Sequence, residues 1–80
     1  MSRRALRTDE DYAEAVYDHL RESGDVGDEV VTDIHPWLMR TYSLTAREAA
    51  RIRRRAMVEL RRSGRVERLN VRGRRARIVG

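Results

Sequence analysis

The sequence predicts an α+β domain, a three-helix bundle followed by a C-terminal β-hairpin. Three observations carry that expectation. The segment Thr45–Gly64 has helical start and stop signals around an unbroken run of good helix formers. Upstream of it, two shorter segments with helical signals flank a β-rich tetrapeptide. Downstream, two β-type runs surround Arg72-Gly73-Arg74. The chain has 80 residues, which suits one domain with a single small core.

Residues 1–7 carry no capping signal and read as a flexible N-terminal arm, leaving 8–80 as the domain. Thr8 precedes Asp9, Glu10 and Asp11, an N-cap followed by acids where the helix dipole favours them. Tyr12 or Ala13, Val16, and His19 or Leu20 then recur at helical spacing. The first helix should therefore run from about Asp9 to Glu22 and stop at Ser23-Gly24, with Tyr17 at the edge of its apolar stripe. Asp25-Val26-Gly27-Asp28 is a turn cluster, and Glu29-Val30-Val31-Thr32 reads as a brief strand.

Thr32 or Asp33 should cap the second helix, with Pro36 in a first turn that does not need its missing N–H. Trp37, Leu38, Met39 and Tyr42 supply apolar bulk, and packing is the expected role of Trp37. Ser43-Leu44 makes a tight link to the third helix, with Leu44 as a plug. That helix opens on Thr45-Ala46-Arg47-Glu48, a capping-box pattern, and ends at Gly64, which accepts a left-handed conformation. Winding at about 100° per residue puts Ala46, Ala49, Ala56, Met57 and Leu60 on one flank, with Ile52 at its edge. Arg47, Arg51, Arg54, Arg55 and Arg62 share the other flank, with Val58 among them. Arg53 falls between Ala49 and Met57 on the apolar side. It must pair with an acid, run out along its aliphatic stem, or mark a shifted helix phase. The runs 65–71 and 75–79 then form the hairpin, in which Gly73 supplies the positive φ of a turn. The expected core is Val16, Leu20, Ile34, Leu38, Leu44, Ala49, Met57, Leu60 and Leu69.

The 18 basic residues are all arginine, whose guanidinium fork binds phosphate and guanine edges in a bidentate way. Their distribution says more than their number. Residues 1–37 hold ten acids and four arginines, a balance of −6. Residues 38–80 hold fourteen arginines and three acids, a balance of +11, and the two halves make up the net +5. A basic half on an otherwise acidic domain is an electrostatic footprint for nucleic acid. Arginines at i, i+3 and i+4 on one helix repel each other, and only Glu48 and Glu59 stand nearby. Such a face implies use on a polyanion.

Other chemistry is poorly provided for. There is no cysteine, hence no disulfide framework and no thiolate metal site. His19 and His35 lack the spacing of a metal or catalytic site, and they read as a core-edge residue and an exposed one. Neither an enzyme nor a cofactor is expected. No apolar run approaches the ~20 residues of a membrane span, and Met1-Ser2-Arg3-Arg4 leads into no apolar segment of a signal peptide. The expected location is the cytoplasm.

The order helix, short strand, helix, tight turn, helix, hairpin resembles the winged helix-turn-helix family from Thr8 to Val79. The stretch Leu60 to Arg68 resembles the L-x-x-x-G-x-V-x-R join between recognition helix and wing in that family. The resemblance implies double-stranded DNA as partner, with the third helix in the major groove and the wing on backbone or minor groove. It implies that Arg47, Arg51, Arg54 and Arg55 face the groove, with Arg62 on the same flank, and that Arg72, Arg74 and Arg75 make the wing contact. Arg51 and Arg54 are the expected base readers. Two departures are an arginine at position 53 and the lack of a dimerising helix after the wing. The expected state is a monomer or weak dimer that assembles on DNA, because ten N-terminal acids oppose pairing in solution. A structured RNA or an acidic protein stands as the alternative partner of the basic face.

Overall fold

A computed structural model describes residues 8–69 and 74–80 of the chain. The expected arm 1–7 and the expected turn and contact residues Gly73 and Arg72 lie outside them. In chain order the elements are α1 (Asp9–Ser23), β1 (Glu29–Val31), α2 (His35–Tyr42), α3 (Ala46–Arg62), β2 (Val66–Arg68) and β3 (Arg75–Ile78). The fold is α+β, with three helices packed on one small antiparallel sheet.

Local chemistry explains the helix starts. The backbone N–H of Asp11 donates to Thr8 Oγ1 at 3.1 Å, which caps α1. At α3 the N–H of Glu48 donates to Thr45 Oγ1 at 3.1 Å, and the N–H of Thr45 donates to Glu48 Oε1 at 2.9 Å. The expected reciprocal box is therefore formed. The Thr45 backbone N–H first, and the Thr45 hydroxyl after it, hold the Glu48 carboxyl below its ordinary pKa, with Arg51 adding to the effect. Helix α2 starts differently from expectation. Its N-cap is Ile34, with no side-chain cap bond and Pro36 just inside. Thr32 and Asp33 are occupied elsewhere: Thr32 receives Arg53, and Asp33 Oδ1 lies 2.9 Å from His35 Nδ1. Ser43 makes the tight turn before α3 by adopting φ 56, ψ 45, a left-handed conformation available to few non-glycine residues. Gly64, just past α3, has φ +77 and supplies the exit expected of it.

The sheet order is β1-β3-β2. The two C-terminal strands thus form the hairpin, and β1 adds to its β3 edge. Val30 stands opposite Ala76, and Val66 opposite Ile78. These four residues point inward and are buried against the helices. The outer face carries Glu29, Arg77 and Glu67 in a cross-strand row, with Arg77 Nη2 3.9 Å from Glu29 and Nη1 3.8 Å from Glu67. Solvent screening keeps such pairs weak.

Buried residues form one cluster across α1, α2, α3 and the sheet. Val16, Leu20, Ile34, Leu38, Ala49, Met57 and Leu60 belong to it as expected. Leu44 is half-buried and packs against the cluster rather than within it. Leu69 is half-buried and outside the cluster, because β2 stops at Arg68 and Val66 is its inward anchor. Tyr17 is buried rather than marginal, covered by the Arg65 guanidinium 3.8 Å from its ring centroid. Trp37 is half-buried at the rim, stacked on His19 at 3.9 Å.

Candidate nucleic-acid interface

Helix α3 presents arginines because it packs with one flank only. Ala49 and Ala56 are fully covered, and Met57 and Leu60 nearly so. Its small inner residues let α1 and the sheet approach on either side. That leaves Arg47, Arg51, Arg54, Val58 and Arg62 on the exposed arc, whose only apolar member, Val58, is itself half-exposed at 49 %. Arg47, Arg51 and Arg54 make no ion pair among the described residues. They project into water and keep their hydrogen-bonding capacity for a ligand.

The other arginines divide by what surrounds them. Arg55 is exposed but lies on the flank toward α1, with Nη1 3.9 Å from Asp9. It therefore borders an acid, whereas Arg47, Arg51 and Arg54 do not pair with one among the described residues. Arg62 remains open, its side chain 80 % exposed, with a loose 3.4 Å pair to Glu59 one turn back. Arg75 is not a hairpin-tip residue: it opens β3, opposite Val31, with Nη1 4.0 Å from Glu29. Arg74 is exposed just before it, its carbonyl accepting the Thr32 N–H at 2.9 Å. Arg65 is withdrawn from any interface. Its Nη1 donates to Glu14 at 2.7 Å, and that bond holds its pKa above the ordinary arginine value.

Arg53, the arginine on the apolar side of α3, reaches Thr32. Its Nε donates to the carbonyl of Thr32, and its Nη2 donates to Thr32 Oγ1 at 3.0 Å. Thr32 is fully buried, and this neutral residue receives the guanidinium on two oxygens. The side chain bridges from α3 to the segment after β1 and sets the roll of the helix against the sheet.

Beside this bridge lies a groove of about 280 Å³, lined by Arg53, Arg54, Met57, Arg61, Arg68, Arg75 and Ala76. Arg61 and Arg68 were not singled out as site residues in the sequence. Arg68 stands opposite Ala76 in the ladder, on the sheet face turned toward α3. The signal was available: Val66 inward implies position 68 inward as well. A second groove, of about 400 Å³, continues along α3 past Ala50, Arg53 and Arg54 to Arg74, Asp33 and His35. The two share Arg53 and Arg54 and form one trench along the seam between helix and sheet.

The two sides of α3 thus differ in charge. The α1 side offers Asp9 and Glu14 beside Arg55 and Arg65. The sheet side offers Arg68, Arg74 and Arg75, with Glu29 4.0 Å from Arg75 and Asp33 in the second groove. Among the described residues no group of acids, histidines or cysteines could hold a metal ion, and no helix is long and apolar enough to cross a membrane. Comparison with protein-family models, with curated proteins and with solved structures returns no match to this chain.

Proposed function

We propose that this chain is a small double-stranded DNA-binding domain of the winged-helix type, serving transcription regulation or a similar accessory role on DNA. Helix α3 enters the major groove, and the hairpin side contacts the backbone. The observation that carries this reading is the exposed arc of α3, where Arg47, Arg51 and Arg54 stand together without ion pairs among the described residues. An arginine fork reads guanine O6 and N7 in the major groove, and a helix of this diameter fits there. Element order supports it too: a strand precedes the second helix, and a tight αL turn at Ser43 joins α2 to α3. Arg51 is the first candidate for base contact, being mid-helix and exposed. Arg54 stands at the trench and serves bases or phosphate. The acidic outer face of α1 opposes pairing of free copies, so assembly takes place on DNA.

The test is binding by fluorescence anisotropy to a duplex enriched from a random pool, to its scrambled counterpart and to a structured RNA, each across a salt series. The expected result is preference for the enriched duplex, with affinity falling at a log–log slope of roughly −4 to −5. Equal affinity for duplex and scrambled DNA removes sequence reading. Preference for RNA replaces the ligand, and salt-insensitive binding removes the role of the arginine face.

A further inference from the structure

The geometry points to the trench between α3 and the sheet as a phosphate site, in which Arg54, Arg61, Arg68 and Arg75 grip consecutive phosphates of one nucleic-acid strand. This rests on the nucleic-acid reading above and adds to it which side of the helix the backbone takes, and which residues hold it.

Composition comes first. Among the described residues the groove of about 280 Å³ is lined by five arginines with Met57 and Ala76, and none of these is a carboxylate. Along the rest of the trench the carboxylate among the described lining residues is Asp33, which stands at the far end against His35. Guanidiniums gathered around an open cavity repel one another, and an anion seated among them removes that repulsion. Geometry comes second. The trench follows α3 from Ala50 to Arg61, ~16 Å at 1.5 Å per residue. It is open to solvent along its length and too long for a single phosphate, so an extended polyanion suits it. Arg53 completes the arrangement from below. Its Nε and Nη2 are committed to Thr32, so the trench floor is held by a fixed guanidinium and not by a mobile one.

Asymmetry comes third. A helix lying in a major groove has a phosphate strand on each side. On the α1 side a strand would meet Asp9 beside Arg55. On the sheet side it would meet the trench, where Glu29 lies 4.0 Å from Arg75 and Arg54 and Arg61 line the same groove. The duplex therefore docks rolled toward the sheet, and Arg61 and Arg68 carry backbone contacts that the hairpin tip alone would otherwise supply. The same phosphate chemistry could come from a free polyphosphate, which would then compete with the strand.

The probes are the enriched duplex and inorganic tripolyphosphate. The variant is Arg61→Gln with Arg68→Gln, which keeps polarity at both positions and helix propensity at position 61; circular dichroism and thermal melting verify its fold. A strand in the trench predicts that the double variant binds all duplexes more weakly by the same factor, and that the log–log salt slope becomes shallower by about 1.8, two phosphate contacts at 0.9 each. Tripolyphosphate should compete with DNA on the wild type and lose that effect on the variant. Arg51→Ala serves as the contrast, weakening the enriched duplex more than its scrambled form. If the wild type binds DNA and the variant keeps the wild-type slope, the trench assignment is overturned while the DNA reading stands. If no nucleic acid binds but tripolyphosphate saturates the wild type and not the variant, the DNA reading fails and the trench is a site for free polyphosphate. Binding of neither probe overturns the trench.

Discussion

Thr32→Val is the sharpest probe of how α3 is held. Valine is close to threonine in shape and suits extended backbone, so the change deletes one hydroxyl and little else. In the native chain that hydroxyl accepts from Arg53 Nη2 at 3.0 Å at a fully buried position. A hydrogen bond to a charged group contributes about 1.5–3 kcal/mol, against about 1 for a neutral pair. Two features lower the figure here. The carbonyl of Thr32 still accepts from Arg53 Nε, and the freed Nη2 can reach water in the trench. An expected cost of about 1–2 kcal/mol remains, or a fall of ~4–16 °C in Tm at about 4–8 °C per kcal/mol for a domain of this size. Arg53→Met should cost as much or more, since both Thr32 oxygens then lose this donor in a dry site. Removing a cation relieves repulsion from neighbouring arginines by only ~0.2–0.5 kcal/mol per neighbour, too little to offset the loss. Urea and thermal unfolding of both variants and of the double variant provide the measurement. The single changes should be strongly non-additive, because they break the same contact. A Thr32→Val protein with an unchanged midpoint, or a more stable Arg53→Met protein, would refute the bridge as a holding device.

Leu60, 1 % exposed at the centre of the cluster, should cost about 2–5 kcal/mol on replacement by alanine, read as a large drop in urea midpoint. Arg65→Lys keeps the charge but loses the planar group over Tyr17 and the fork on Glu14; a loss of about 1 kcal/mol is expected, without change in nucleic-acid affinity. The Glu48 carboxyl is held below its ordinary value near 4.5 by the capping box. Its contribution is therefore fully present above that value and is lost as pH falls through the lower, folded-state one. Urea midpoints measured from neutral to acidic pH should show a component that Glu48→Gln removes; identical pH profiles for wild type and variant would contradict it.

Periodicity and capping chemistry were enough to locate the elements. Thr8 and Thr45, each placed one residue before a run of helix formers, set the starts of α1 and α3, because a capping bond is made within four residues of chain. Wheel geometry likewise separated Ala49, Ala56, Met57 and Leu60 from Arg47, Arg51 and Arg54, since 3.6 residues per turn is a property of the helix alone. What local spacing could not contain was decided by partners distant in sequence. Pairing of β1 with β3 depends on residues 29–31 meeting 75–77. The start of α2 moved to Ile34 because Arg53, 21 residues away, claims Thr32. Asp9 comes to flank Arg55, and Arg61 and Arg68 come to line one groove because the sheet packs beside α3. The sequence by itself determined where the helices lie and that one flank of α3 is cationic; tertiary packing decided which arginines are pinned and which line a groove beside the sheet, because both depend on which chain segments stand beside that helix.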